Sequence, residues 1–391
     1  MARTTIKKHH IPYGRQHITQ ADVDAVTEAL HADFLTQGPR IDDFEHAFAN
    51  YIGSKYAVAV SNGTAALHLC ALALGVNEKS KVIVSPITFA ASANCIRYCG
   101  GEVVFADIDP ETALIDLDKV EALLKSHPKG TFQGIVPVDF AGYPVDLERV
   151  RALADEYDLF IIQDSCHSPG GYFTDSQGIQ QRCGNGMYAD LAIFSFHPVK
   201  HIASGEGGMI TTNDPVLHGK LQMLRTHGIT KDPDLLENDT EGGWYYEMQT
   251  LGYNYRITDF QAALGQSQLQ RAEAGMQRRR AIAARYDAAF ADRPDIQTLP
   301  PAPGIGHAYH LYVIQVDDRK ALYDHLRSVG IYAQVHYIPV HTLPYYRQLS
   351  DEPVRLPHAE AYYARCLSLP MYPTLTAEEQ EFVIEQVLAH G

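Results

Sequence analysis

The stretch Ser195-Phe196-His197-Pro198-Val199-Lys200, followed by Gly205-Glu206-Gly207-Gly208, decides how the rest of the chain is read. An apolar, strand-like run from Leu191 to Phe196 leads into it, and a lysine stands just past that run. A hydroxyl precedes the lysine by five residues, and a glycine-rich turn follows. A lysine held this way suits imine chemistry, because an amine whose surroundings lower its pKa attacks carbonyls. The same segment also describes a solvated lysine at the end of a strand, so the neighbouring sequence has to decide.

Working outward, short apolar β-rich runs alternate with helical stretches from about residue 55 to 212. The expected strands are Tyr56–Ser61, Lys81–Ser85, Glu102–Ala106, Gly134–Val138, Leu159–Asp164, Leu191–Phe196 and Gly208–Thr212. Helices are expected between them, at Thr64–Leu74, Leu117–Lys125 and Leu147–Tyr157. Continuous apolar runs such as Leu159-Phe160-Ile161-Ile162 fit strands covered on both faces. The pattern predicts an α/β fold with a mostly parallel sheet in a large domain. Residues 229 to 247 read as a long exposed loop, and Asp259 to Ala291 as a long helical region. The proline-rich segment Arg293–Gly306 reads as a linker to a smaller α/β domain, with strands at Tyr309–Val316 and Tyr332–His336.

Composition narrows the class. A chain of 391 residues with 46% hydrophobic and 20% charged residues fits a soluble globular protein of two domains, divided here as 1–255 and 256–391. A formal net charge of −15 argues against nucleic acid or an anionic membrane surface as partner. Met1 to His10 lacks the apolar core of a secretory signal, and no run is long enough to span a bilayer. Six dispersed cysteines without a CxxC pair fit reduced thiols in a cytoplasmic enzyme. The histidine pairs His197/His201, His336/His341 and His9/His10 lack the spacing and carboxylate partners of a metal site.

Four further segments carry chemistry. Ser61-Asn62-Gly63-Thr64-Ala65-Ala66 joins a strand to a helix, where free backbone N–H groups and the helix dipole make either a phosphate site or a plain N-cap. Phe89 follows a strand, and fits either a ring stacked on a cofactor or a core aromatic. Asp164 closes the run Leu159–Gln163. A carboxylate there can pair with a protonated pyridine nitrogen, or simply cap a turn. His167 lies three residues on and can reach the same ring. Taken one by one these are ordinary residues. Together they place a phosphate cradle, an aromatic, an acid and a lysine at the carboxyl ends of successive strands, where they can converge on one crevice.

The set Ser61-Asn62-Gly63-Thr64-Ala65, Asp164-x-x-His167, Ser195-Phe196-His197-x-x-Lys200 and Gly252-x-Asn254-x-Arg256 resembles the sugar aminotransferases of the DegT/DnrJ/EryC1/StrS family. The likeness runs from about Ile11 to the C-terminus. Within the family it is similar to the 4-aminotransferases of pseudaminic acid biosynthesis, on Tyr13, Phe34-Leu35-Thr36-Gln37-Gly38, Ser195-Phe196-His197-Pro198-Val199-Lys200 and Ala333-Gln334-Val335-His336-Tyr337-x-Pro339.

The resemblance implies a fold-type I enzyme that uses pyridoxal 5'-phosphate and its pyridoxamine form. Lys200 would carry the cofactor as a Schiff base and shuttle protons. Asp164 would bind the pyridine nitrogen, and His167 would contact the ring where many relatives have glutamine. Gly63, Thr64, Ala65 and Ser195 would hold the phosphate, Phe89 would stack on the ring, and Asn254 would reach the phosphate from a partner subunit. Tyr13, Asp33, Phe34, Leu35, Thr36, Gln334, Val335, His336, Tyr337 and Tyr346 would line the sugar-nucleotide pocket. The partners implied are L-glutamate, a UDP-linked 4-keto-6-deoxy-N-acetylhexosamine and a second copy of the chain. Other nucleotide-linked 4-keto sugars, from legionaminic acid, perosamine or 4-amino-arabinose pathways, remain open. So does a non-catalytic cofactor-binding regulator, although Lys200 argues against it and against a related sugar 3-dehydratase.

Overall fold

The computed structural model describes residues 10–238, 242–350 and 352–390. The readings made of Met1 to His9 fall outside the described residues, so of the terminal histidine pair only His10 is described. The seven expected strands form one sheet: β1 (Tyr56–Val60), β2 (Lys81–Val84), β3 (Glu102–Phe105), β4 (Gly134–Val136), β5 (Phe160–Asp164), β6 (Leu191–Ser195) and β7 (Gly208–Thr212). Their order across the sheet is β1-β7-β6-β5-β4-β2-β3. Only β7 runs antiparallel to its neighbours, β1 and β6. The other pairings are parallel.

Successive residues of these strands enter opposite cores, as the two-residue side-chain period demands. Ile83, Ile135 and Ile161 join the core under the helices Leu117–Lys125 and Leu147–Tyr157. Val84, Val136 and Ile162 join the core under Gly63–Ala73, Ala91–Tyr98 and Pro215–Arg225. Each such fully buried side chain contributes roughly 1.5–3 kcal/mol. The helix Leu147–Tyr157 shows how the sequence sets the crossovers. Asp146 caps its start by accepting from the Arg149 N–H at 3.0 Å, and Asp158 ends it in the left-handed region at φ 58°. The chain then enters β5 and leaves it at Asp164.

A second, three-stranded antiparallel sheet joins Gln297–Thr298, Tyr312–Gln315 and Cys366–Leu369. It packs with Ile282, Tyr286, Val383 and Ile384 in a separate core. Ile11–Pro12 pairs in parallel with Ile331–Tyr332, which ties the start of the chain to its last third and brings the Tyr13 ring to 5.1 Å from His336.

Four expectations change. The strand read at Tyr332–His336 is only Ile331–Tyr332, because the chain then turns inward toward the sheet. The long helical region is two helices, Asp259–Leu269 and Ala272–Phe290, since Thr258 supplies a capping box for the first and Arg271 breaks the run. The segment read as a linker contributes Gln297–Thr298 to the second sheet and Ile305–Gly306 to a pairing with Tyr172–Phe173. Within 229–247, Ile229–Thr230 pairs with Glu247–Met248, so this stretch is a closed excursion with paired ends.

Candidate active site

A cavity of about 870 Å³ opens beyond the carboxyl ends of the central strands. That is where open α/β sheets bind ligands. The turn after β1 brings Asn62, Gly63, Thr64 and Ala65 to its wall. The loop after β2 brings Phe89, β5 brings Asp164, and β6 brings Ser195 and then Lys200.

At one end, the Asn62 carboxamide oxygen accepts from the Ala65 N–H at 2.8 Å and caps the helix Gly63–Ala73. The Gly63 and Thr64 N–H groups precede the intrahelical ladder and face the positive end of the helix dipole. Ser195 stands opposite. A Cβ on Gly63 would come within 3.1 Å of Ser195 Cβ and 3.5 Å of Ser195 Oγ, filling the gap between them. Gly208, at the start of β7, supports this cradle from behind. A Cβ there would meet the Asn62 carbonyl carbon and oxygen at 2.6 Å. We expect Gly208→Ala to push the turn off its position, with a stability loss of about 1–3 kcal/mol. It should also weaken affinity for pyridoxal phosphate, measured by fluorescence titration of the apoprotein. Unchanged affinity would show that the turn tolerates the displacement.

At the other end, Asp164 is buried and held by two donors. Ser92 Oγ donates to Oδ2 at 2.7 Å, and the Cys166 N–H donates to Oδ1 at 3.1 Å. Beneath it, the fully buried Asp139 accepts from Gln163 Nε2, Ser165 Oγ, Ser168 Oγ and the Val145 N–H. This network anchors the turn that carries Cys166 and His167. Burial raises the Asp139 pKa, and the hydrogen bonds only partly offset it.

Lys200 is half-buried between these ends. Desolvation by the surrounding protein lowers its amine pKa, while Cys166 and Asp164 act the other way. His167, His201, His310 and His336 surround it, and each is held neutral first by burial. The lysine charge adds to the depression at all four. His336 falls to about 3. The lysine therefore works among neutral imidazoles, with the Asp164 carboxyl nearby and a Cys166 thiol that burial pushes well above its ordinary pKa.

The cavity gathers Tyr13, Gly63, Thr64, Ala65, Phe89, Asp164, His167, Ser195, Lys200, Val335, His336 and Tyr337 from the sequence-based set. The remainder lie elsewhere in this chain. Asp33, Phe34, Leu35 and Thr36 are exposed, and Phe34 lines a separate cavity of about 400 Å³ with Arg225 and Arg256. Thr36 pairs with Thr258, and the Asp259 N–H donates to the Leu35 carbonyl at 3.0 Å, so this segment travels with the Asn254–Arg256 loop. Asn254 is exposed. Gln334 points outward while its backbone pairs with Ser368. Tyr346 is buried beside the cavity and donates to Asn94 Oδ1 at 2.7 Å. Sequence reasoning missed Ser92, Cys166, His310 and Tyr255, which also line the cavity. A lone serine or histidine carries no periodic signal. Only the position of Cys166, just past β5, gave a hint; Ser92 lies inside the helix Ala91–Tyr98.

The residues present fit pyridoxal phosphate. A cradle of N–H groups and a hydroxyl, which a Gly63 Cβ would fill, faces a fixed carboxylate, with an amine of lowered pKa between them. Phe89 offers a largely exposed apolar ring to the same space.

The chain is similar to known proteins over nearly its whole length. Residues 16–388 match the DegT/DnrJ/EryC1/StrS aminotransferase family. The chain is 39% identical over 389 residues to the spore coat polysaccharide biosynthesis protein SpsC of Bacillus subtilis, covering 97% of both chains. It is 36% identical over 378 residues to the UDP-4-amino-4,6-dideoxy-N-acetyl-beta-L-altrosamine transaminase of Campylobacter jejuni, covering 95% of both. Among solved structures, Helicobacter pylori PseC, an aminotransferase involved in the biosynthesis of pseudoaminic acid, superposes with a TM-score of 0.87 at 32% identity, over 97% of this chain and 99% of that one. The PLP form of Spr1654 from Streptococcus pneumoniae does so with a TM-score of 0.86 at 29% identity, over 97% and 98%. The chain therefore belongs to the DegT/DnrJ/EryC1/StrS family, and is a pyridoxal phosphate-dependent sugar aminotransferase of fold type I.

Proposed function

We propose that this enzyme moves the amino group of L-glutamate to C4 of a UDP-linked 4-keto-6-deoxy-N-acetylhexosamine, as in pseudaminic acid biosynthesis, and does so in the cytoplasm. The observation that carries this reading is one cavity joining the phosphate cradle, Asp164 and Lys200 to a wall formed by Tyr13, Val335, His336 and Tyr337. The transaminase and pseudoaminic acid relatives, matched over nearly their whole length, support the sugar class.

When bound, pyridoxal phosphate supplies an aldehyde carbon for imine formation and a pyridinium ring that withdraws electrons from the bond being broken. Gly63, Thr64, Ala65 and Ser195 would hold the phosphate. Asp164 would supply the carboxylate for the ring nitrogen, and Phe89 would offer an apolar face to the ring. Lys200 Nζ, with its lowered pKa, takes a proton from the α-carbon of glutamate in the first half-reaction. In the second it delivers one to C4 of the sugar. Tyr13, His336 and Tyr337 orient the sugar.

The same reading makes the working unit a homodimer with Asn254 reaching the partner's phosphate. Its support is the exposure of Asn254 and of the apolar side chains Phe34, Leu35, Trp244, Met248 and Leu251. It also keeps the division into 1–255 and 256–391. Among the described residues, no helix is long and apolar enough to cross a membrane.

The test is a panel of nucleotide-linked 4-keto sugars with glutamate as donor, and identification of the amino-sugar epimer formed. The expected product is the UDP-linked 4-amino-4,6-dideoxy sugar of the altro series. A preference for another 4-keto sugar would move the enzyme to a different pathway, and no turnover with any would remove the nucleotide-sugar reading.

A further inference from the structure

The protons around His167 can be assigned one after another. The Ala141 N–H donates to His167 Nδ1 at 3.2 Å. Ala141 is locked in this orientation. Its backbone sits in the left-handed region at φ 58°, and a Cβ on the next residue, Gly142, would strike the His167 carbonyl oxygen at 2.7 Å. His167 is neutral, because burial and then the lysine charge oppose its protonation. A neutral imidazole that accepts at Nδ1 carries its proton on Nε2. Nε2 lies 3.2 Å from Tyr337 Oη, so the tyrosine oxygen is the acceptor there. Among the described residues Tyr337 Oη makes no other hydrogen bond, and its side chain lines the cavity. Burial also pushes the phenol pKa up, so the hydroxyl keeps its proton. The remaining direction for that proton is into the cavity.

Resting on the reading of this cavity as a nucleotide-sugar site, we infer that Tyr337 Oη donates a hydrogen bond to the oxygen at C4 of the sugar. His167 is the positioning residue that fixes this polarity, acting through Tyr337. The inference concerns direction as well as contact: the tyrosine is a donor to the ligand because the histidine has used its acceptor side.

Two substitutions at His167 separate polarity from packing. In His167→Gln the amide oxygen accepts from Ala141 and the amide N–H donates to Tyr337, so the pattern is kept. In His167→Glu the side chain accepts from both, and the tyrosine proton turns away from the cavity. Binding of UDP-N-acetylglucosamine, which carries an oxygen at C4 but no ketone, is measured by calorimetry on the holoenzyme. Tyr337→Phe should weaken it about 3- to 10-fold, the worth of one hydrogen bond. His167→Glu should match that loss, and His167→Gln should stay within about twofold of wild type. The melting temperature of Tyr337→Phe should stay close to that of wild type, which a general loss of structure would not allow. Wild-type affinity in Tyr337→Phe overturns the contact. Equal losses in His167→Gln and His167→Glu overturn the polarity. A wild-type enzyme that binds no UDP-sugar strikes the functional reading itself, whereas tight wild-type binding with indifferent variants strikes only this inference.

Discussion

Alanine at position 200 lowers turnover by more than about 10⁴-fold, because it removes both the covalent attachment point and the proton carrier. The loss is chemical and leaves folding intact. Among the described residues the Lys200 amine makes no hydrogen bond that its removal would orphan, and the backbone tie from the Lys200 N–H to the His197 carbonyl at 2.8 Å survives the substitution. The measurement pairs amino-sugar formation with borohydride trapping and mass spectrometry. Wild type gains a cofactor adduct on the peptide containing Lys200, and the variant gains none while melting at an unchanged temperature. Wild-type turnover in Lys200→Ala would remove the lysine from the chemistry altogether.

Asparagine at position 164 is the second large effect, a fall of about 10²- to 10³-fold in kcat for both half-reactions. The side chain keeps its shape. Its oxygen can still accept from the Cys166 N–H, and Ser92, which also bonds Thr88 Oγ1 at 2.7 Å, can turn to accept from the new amide. What is lost is the negative charge opposite the ring nitrogen, so both halves should suffer alike while nucleotide-sugar binding is unchanged. Near-normal kcat would refute the electrostatic role and leave Asp164 as a turn former.

The sequence carried the central sheet well because its strands are buried on both faces. Runs such as Phe160–Gln163 then have no reason to alternate, and β propensity and burial agree. Boundaries shifted by a residue where a backbone group found a different partner. The Phe196 N–H still donates to the Gly207 carbonyl in the register of the Ser195–Gly208 pair, but the Phe196 carbonyl accepts from the Ser204 N–H inside the loop at 2.9 Å, and the strand ends there. The C-terminal strand Tyr332–His336 was overread because Ala333 and Val335 alternate as a strand would, yet the chain beyond Tyr332 turns to the cavity, where Ser368 Oγ holds His336. Lys200, Asp164 and the Asn62–Ala65 turn were legible because each follows a strand and each type has a distinct chemistry. The segment Asp33–Thr36 was assigned by likeness to the same pocket as Tyr13. Its distance from this chain's cavity follows from pairings with Thr258 and Asp259, more than two hundred residues away, which no local pattern encodes. His310 was silent for the same reason.

The antiparallel β7 makes residues 196–207 the loop of a β-hairpin whose two strands lie inside the sheet. Its base is closed by Phe196 and Gly207, and its interior by the Ser204 N–H to the Phe196 carbonyl at 2.9 Å. The only part of Lys200 free to travel is its side chain, and rotamer changes of side chains run on the picosecond-to-nanosecond scale. Swinging the amine between its two proton-transfer positions is therefore far faster than a turnover on the scale of milliseconds to seconds. The lysine's own motion should leave no trace in any dependence of turnover on solvent viscosity.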